Sequence, residues 1–303
     1  DNNKRIAKNT MLLYVRMLFT MAISLYTSRV ILKTLGVEDF GIYNVVGGVV
    51  SMLGFITGSM TGASSRFITY NIGTENKKIV KRTFANIMFI HILLAILILI
   101  LAETIGVWFM TTKLQIPESR INAAFWVYQF SVFAALLSIL YSPYNALIVA
   151  HEKMSAFAYI SIFDAIMKLI IVYLLNIIPF DKLIVYAWLF FSIQALDISL
   201  YFFYCWRHFD ESHTVPRKNN KLFHEMFAFA GWTLTGNLAA VGYTQGLNIL
   251  LNMFFGPVVN AARGIAVQVQ NVCRNFCYNF QMAINPQITK SYASHNLEYM
   301  HSL

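Results

Sequence analysis

Charge is what this chain has least of. Only 12% of its 303 residues are charged, while 57% are hydrophobic. A soluble domain averages about 25% charged residues, so this composition cannot cover a water-facing surface. Acid is scarcer than base, 14 against 23 residues, which leaves a net charge of +9. Cysteine is also rare. Cys205, Cys273 and Cys277 lie in or beside apolar runs, with no His or carboxylate at metal spacing, so they read as small packing residues. There is no Gly-rich nucleotide loop, no nucleophile motif and no large outer loop to house a catalytic domain, so the sequence does not read as an enzyme. His208, His213 and His224 lack zinc spacing and read as solvated loop residues. No cleavable signal is visible: the run after Lys4, Arg5 and Lys8 is too long and lacks a small-residue cleavage site. Beginning at Asp1 and stopping at Leu303, the chain is expected to be a fragment.

What is present is a series of apolar runs long enough to cross a bilayer. Eight spans are placed at roughly 10–35, 42–70, 84–109, 121–149, 155–178, 183–206, 226–254 and 259–287. Lys and Arg collect at the N-terminus and in alternate connections: Lys77, Lys78, Lys81 and Arg82, then Lys153, then Arg207, Arg217, Lys218 and Lys221. The intervening connections are poorer in base, which places the N-terminus in the cytoplasm. The positive balance is therefore a topology signal, and no nucleic-acid partner is expected. A shift of 220 residues superposes Gly36 on Gly256, Val49 on Val269, Ala63 on Ala283, Ile68 on Ile288 and Thr69 on Thr289. This lays the first two spans on the seventh and eighth in the same orientation, a parallel repeat of six helices. The expected fold is an all-α polytopic membrane helix bundle, a two-lobed transporter whose second lobe is incomplete. Residues 1–208 form a six-helix lobe, 209–225 a cytoplasmic linker, and 226–303 the first two helices of the second lobe.

Polar groups inside the spans carry the functional signal. Arg263, Gln270, Arg274 and Gln281 lie on one line of the eighth span, at about −20°, +20° and 0° from Arg263. An arginine at mid-bilayer costs roughly 2.5–3.5 kcal/mol on insertion scales, so such a stripe faces water, protein or an anion. The seventh span has a matching face in Thr233, Asn237, Thr244 and Asn248, and two polar faces on adjacent helices suggest a shared wet cavity. Interhelical amide hydrogen bonding is the simpler alternative. Arg16 and Arg66 sit at similar depth toward the cytoplasmic side, where together they would receive an entering anion; Arg29 can snorkel to headgroups. In the fifth span Asp164 and Lys168 lie one turn apart. They are either a self-neutralised structural pair or, with Asp197 of the sixth span, an ion-coupling site. Pro143 predicts a kink in the fourth span. Intramembrane cations outnumber anions, which favours an anionic substrate, and arginine suits phosphate by bidentate bonding.

Leu25-Tyr26-Thr27-Ser28-Arg29 and Leu35-Gly36-Val37-Glu38-Asp39-Phe40-Gly41-Ile42-Tyr43 resemble the first helix junction of Wzx-type polysaccharide-lipid flippases. These belong to the multidrug/oligosaccharidyl-lipid/polysaccharide exporter superfamily. Asn260-Ala261-Ala262-Arg263-Gly264-Ile265-Ala266 and Asn285-Pro286-Gln287-Ile288-Thr289-Lys290-Ser291-Tyr292-Ala293 are similar to their seventh-to-eighth junction and eighth-helix end. The resemblance spans essentially the whole chain and matches the first eight of twelve or fourteen helices. It implies alternating access in a bacterial inner membrane, with no cofactor. The cargo would be an undecaprenyl-diphosphate-linked oligosaccharide for lipopolysaccharide or other surface polysaccharide, with H+ or Na+ as the implied coupling ion. Arg16, Arg66, Arg263 and Arg274 would hold the diphosphate, and the sugars would occupy the wet cavity. The rival from the same superfamily, a multidrug antiporter, commonly uses an acidic residue in its first or seventh helix, which this sequence lacks there. A membrane glycosyltransferase or ligase would need an acidic or His site at a membrane face. A scaffold role is the remaining alternative.

Overall fold

In a computed structural model the backbone is described for residues 2–114 and 116–302; side chains at 2–3, 48–49, 51–59, 234, 237–238, 240–242, 244–253, 255–265, 268–269, 271–272 and 302 lie outside the description. Among the described residues there is no strand. The helices are α1 (Asn2–Gly73), α2 (Lys77–Leu101), α3 (Val107–Lys113), α4 (Ile121–Ala150), α5 (Met154–Leu174), α6 (Lys182–His208), α7 (Asn220–Ala293) and α8 (Leu297–Ser302). Side-chain caps start several of them: Asn76 accepts from Lys78 and Ile79, Asp181 from Leu183 and Ile184, and Asn219 from Leu222. Among the described residues, five stretches are long and apolar enough to cross a membrane: Lys4–Gly47, Lys77–Lys113, Glu118–Ala150, Met154–Leu174 and Lys182–His208. The expected spans at 42–70, 226–254 and 259–287 include many side chains outside the description.

Two of the helices are too long to be straight rods. A bilayer core is about 30 Å thick, and some 70 residues of helix would extend about 110 Å. α1 breaks at Gly36, whose φ of 81° and ψ of 170° are non-helical, so the first two spans form a hairpin. α7 must also turn back. Near its start Phe229 lies under the Arg66 guanidinium, and near its end Asn285 and Thr289 share a cavity with the same arginine.

The hairpins place the connections on two faces. At the far face Arg120, just before α4, clasps Asp39 after the α1 break and Asp181 before α6. Its Nε donates to Asp39 Oδ1 at 2.8 Å and its Nη1 to Asp181 Oδ2 at 2.5 Å, with Nη2 also reaching Asp39 Oδ2. At the N-terminal face, Gly73 comes so close to α7 that a Cβ there would lie 2.7 Å from the Ala293 Cβ. The alternation read from loop charge is thus the alternation of the fold.

The repeat is visible in backbone detail at this face. After α1, Glu75 takes a φ of 57°, its N–H donates to Ile72 O, and Asn76 Oδ1 caps the next helix at Ile79 N. After α7, His295 takes a φ of 57°, its N–H donates to Tyr292 O, and Asn296 Oδ1 accepts from Tyr299 N. Each of these positions matches its counterpart at the 220-residue shift.

Apolar packing holds the first six spans together. Phe84, Ile87, Ile90 and Ile98 of α2 pack with Leu147 and Ile148 of α4 and Cys205 of α6. Nearer the far face Val46 of α1, Val127 and Tyr128 of α4 and Leu183 of α6 form a second cluster. Here α2 runs into a one-turn π-helical bulge, Ala102–Gly106, whose opened backbone offers Ala102 O to the Tyr128 hydroxyl at 2.7 Å. Pro143 lies inside α4, which continues through it to Ala150.

Candidate functional site

A cavity of about 630 Å³ opens between the second half of α1, the last turns of α4 and the end of α7. α1 contributes Thr61, Gly62, Ser65, Arg66 and Thr69, and α7 contributes Gln281, Met282, Asn285, Pro286 and Thr289. These two sets are the same five positions shifted by 220 residues. The cavity therefore lies where the two copies of the repeat face each other. α4 closes one side with Asn145, Ala146 and Val149, and Tyr278 completes the lining. The spacing of each set, three or four residues, keeps it on one helix face. Among the described residues of the lining Arg66 is the charged one and none is a carboxylate; its guanidinium lies 4.6 Å over the Phe229 ring. Such a site offers a planar cation and several neutral hydrogen-bonding groups, a combination suited to an anion carrying hydroxyls.

The expected site residues divide between this cavity and other places. Arg66 and Gln281 line it. Arg16 does not: it spans α5 and α7, donating to Ser161 Oγ at 3.3 Å and Asn279 Oδ1 at 3.1 Å, with Phe157 beneath it at 4.5 Å. Arg274 and Gln270 are exposed on α7. The side chains of Arg263, Asn237 and Asn248 lie outside the described residues. Cys273 and Cys277, read as packing residues, are free and exposed, because no described part of the chain covers their face of α7. The sequence reading missed Asn145, Tyr278, Thr61, Ser65 and Thr69. The 220-residue shift held a signal for the α1 members, since it projects Gln281 and Asn285 onto Thr61 and Ser65.

Asp164, Lys168 and Asp197 do come together. Lys168 Nζ donates to Asp164 Oδ2 at 2.7 Å, and both residues line a small cavity of about 170 Å³ with Ser24, Thr27, Ser28 and Tyr186. The carboxyl of Asp197 on α6 lies nearby, and Asp164 Oδ1 and Asp197 Oδ1 are both buried without a hydrogen-bond partner among the described residues. Two carboxylates are both acceptors, so a direct hydrogen bond between them would need one to carry a proton.

A further polar cluster closes the N-terminal face. Glu152, at a φ of 58° in the turn between α4 and α5, has a side chain only 4% exposed. It accepts from Lys290 Nζ at 2.7 Å and Gln287 Nε2 at 2.5 Å of α7, and pairs with Arg5 of α1 at 3.0 Å. Asn9 donates to its carbonyl. Burial lowers Lys290 from the ordinary lysine range, against the opposing pull of Glu152. Neighbouring His151 stacks on Phe209 with ring centroids 4.3 Å apart; burial, then Lys290 and Lys153, push it down to about 4. Its 3.9 Å approach to Glu211 is therefore no ion pair at neutral pH. At the far face burial would raise Asp181, but hydrogen bonds from Arg120 and from the N–H groups of Ile184 and Leu183 hold it below the usual carboxylate range. Among the described residues no group of His, Cys, Asp and Glu could hold a metal ion.

The profile of one protein family, described as polysaccharide biosynthesis protein, matches residues 6–291. The chain belongs to that family. It is a multi-pass membrane transporter of the multidrug/oligosaccharidyl-lipid/polysaccharide exporter superfamily, whose solved members share its fold. A multidrug resistance MATE family transporter in an outward-facing conformation is 14% identical with a TM-score of 0.79; the match covers 100% of this chain and 67% of that one. A MATE mutant gives 12% identity and a TM-score of 0.82 over 100% and 68% of the two chains. A superfamily transporter from Pyrococcus furiosus, described as having a binding pocket of reverse polarity, gives 15% and 0.77 over 100% and 67%. No curated protein matches the chain.

Proposed function

We propose that this transporter moves an anionic, lipid-diphosphate-linked oligosaccharide from the inner to the outer leaflet of a bacterial cytoplasmic membrane, with the N-terminal face toward the cytoplasm. The observation that carries this reading is the cavity between the repeated faces, with Arg66 in its wall, no carboxylate among its described lining residues, and amide and hydroxyl groups around it. The polysaccharide family supports the cargo class, and the base-rich alternate connections support the orientation. Arg66 holds the diphosphate, while Gln281, Asn285 and Asn145 meet the sugars. On this reading Arg16, buttressed by Asn279, and the exposed α7 residue Arg274 extend the cationic path, with Gln270 adding a neutral hydrogen-bonding group beside it. Arg263, Asn237 and Asn248, candidates from the sequence, lie outside the described side chains, and the two lobes rock about the cavity.

Asp164, Lys168 and Asp197 form the coupling site, taking up H+ or Na+ where a shared proton can leave. The same carboxyl pair is what favours a second reading, a cation-expelling multidrug antiporter. The two readings separate in a reconstituted assay. Arg66→Ala and Arg274→Ala should each abolish appearance of a lipid-diphosphate oligosaccharide on the opposite leaflet without reducing membrane insertion, and Arg66→Lys should keep part of it. Normal flipping by a stably inserted Arg66→Ala protein would rule out the anion cavity. Ethidium efflux that requires Asp164 or Asp197 but not Arg66 would establish the antiporter instead.

A further inference from the structure

Two basic connections far apart in sequence meet at the N-terminal face. Lys78, Lys81 and Arg82 of α2, with Arg217 and Lys218 of the segment before α7, line a cleft of about 540 Å³. The cleft is built by backbone docking. Arg217 N donates to Ala85 O at 3.1 Å, and Asn219 N to the buried Asn86 side chain at 2.9 Å, so the segment is pinned along α2. Among the described residues its lining includes no carboxylate, and none of the five cations is ion-paired.

This arrangement is unfavourable without a counter-charge. Lys78 stands three and four residues from Lys81 and Arg82, the spacing at which like charges repel on a helix. All three lie near the positive end of the α2 dipole, whose first turn has no acid. The fold does not require the cluster either. At the 220-residue shift Lys78, Lys81 and Arg82 become Glu298, His301 and Ser302, although the turn before them is the same. The level of the cleft is marked by aromatics. Exposed Trp206, at the end of α6, lies edge-on to His213 of the docked segment at 5.3 Å, and Lys218 sits 5.1 Å over Phe223. Trp at a span end is the usual marker of headgroup depth.

We propose that this cleft binds the phosphate of an anionic phospholipid headgroup, which neutralises the cluster and holds the segment between α6 and α7 against α2. It is separate from the Arg66 cavity and would be occupied by membrane lipid, whatever the cargo.

The test is equilibrium binding of a fluorescent-tailed phosphatidylglycerol to the full protein in neutral detergent micelles, with phosphatidylcholine, inorganic phosphate and pyrophosphate as competitors. The combined variant Arg82→Gln, Arg217→Gln, Lys218→Gln should bind about a hundredfold more weakly at low salt. A comparison variant, Lys4→Gln with Lys8→Gln, removes exposed cations of the same face outside the cleft and should bind within twofold of the parent. Unchanged melting of both variants shows that the segment still docks; if the triple variant melts early, Lys81→Gln with Lys218→Gln is measured in its place, and it should lose at least fivefold. Equal losses in the cleft and comparison variants, or none in either, would overturn the site. Saturation by pyrophosphate or inorganic phosphate at concentrations where phosphatidylglycerol does not compete would assign it to a soluble phosphate and overturn the lipid source.

Discussion

Glu152 is one acid at one turn, yet it holds three elements: Arg5 of α1, Lys290 and Gln287 of α7, and its own turn between α4 and α5. Removing a buried partner leaves the other charges uncompensated, so Glu152→Ala should lower stability by on the order of 2–3 kcal/mol in reversible detergent unfolding. Glu152→Gln, which keeps an acceptor for Lys290 and Gln287, should cost clearly less. A matching loss in both would mean that the charge, and not the hydrogen bonds, holds the cluster. His151 beside it supplies a pH dependence with a definite sign. Its pKa is about 4 in the fold against 6.5 ordinarily, so the unfolded chain binds more protons between those values, and stability falls as pH drops through that window. The expected contribution between pH 7 and pH 5 is about 2 kcal/mol. Unfolding of His151→Gln at both pH values should show that much less acid sensitivity than the parent. Neither residue could be picked from the sequence. Glu152 carries no local signal of burial, because its partners Arg5 and Lys290 lie at the two ends of the chain.

Elements were more legible. Apolar runs and loop charge located the helices, because both report local free energies of insertion that do not depend on partners. Helix starts were less so: the side-chain caps at Asn76, Asp181 and Asn219 emerge only from the structure. The Gly36-to-Asp39 motif acquires a mechanism. Gly36 takes a backbone conformation closed to other residues, and Asp39 receives Arg120 across the far face. Gly36→Ala should therefore destabilise the protein by about 1–3 kcal/mol. Gly41→Ala, at a helical site with nothing within 4 Å of the added Cβ, should be neutral or slightly stabilising. Thermal unfolding of the two variants side by side checks this, and equal melting temperatures would show that the α1 break is not strained. The π-helical bulge at Ala102–Gly106 was not legible. It depends on the Tyr128 hydroxyl, which approaches so closely that a Cβ on Gly106 would lie 2.0 Å from it.

Across the whole molecule the repeat organises both the lock and the cavity. Gly73 and Ala293 are repeat-related and touch, just beyond the last lining pair, Thr69 and Thr289. Gly73→Val should force the two ends apart and open the cavity toward the N-terminal face. A cysteine placed at Thr69, in a background with Cys273 and Cys277 changed to Ser, should then react severalfold faster with an impermeant thiol reagent applied from that face. Unaltered labelling would show that this contact does not control access. The chain's own sequence determined that it is a membrane helix bundle, which connections share a face, and that its first and last hairpins are copies. Insertion energy and loop charge are properties of each segment alone. Tertiary structure decided which polar faces meet. It set Arg66 opposite Asn285 and Gln281, drew Arg16 away to Asn279, and gathered Glu152 with Arg5 and Lys290. Helical periodicity says where a side chain points on its own helix, whereas a partner some 140 to 260 residues away is chosen only when the helices pack.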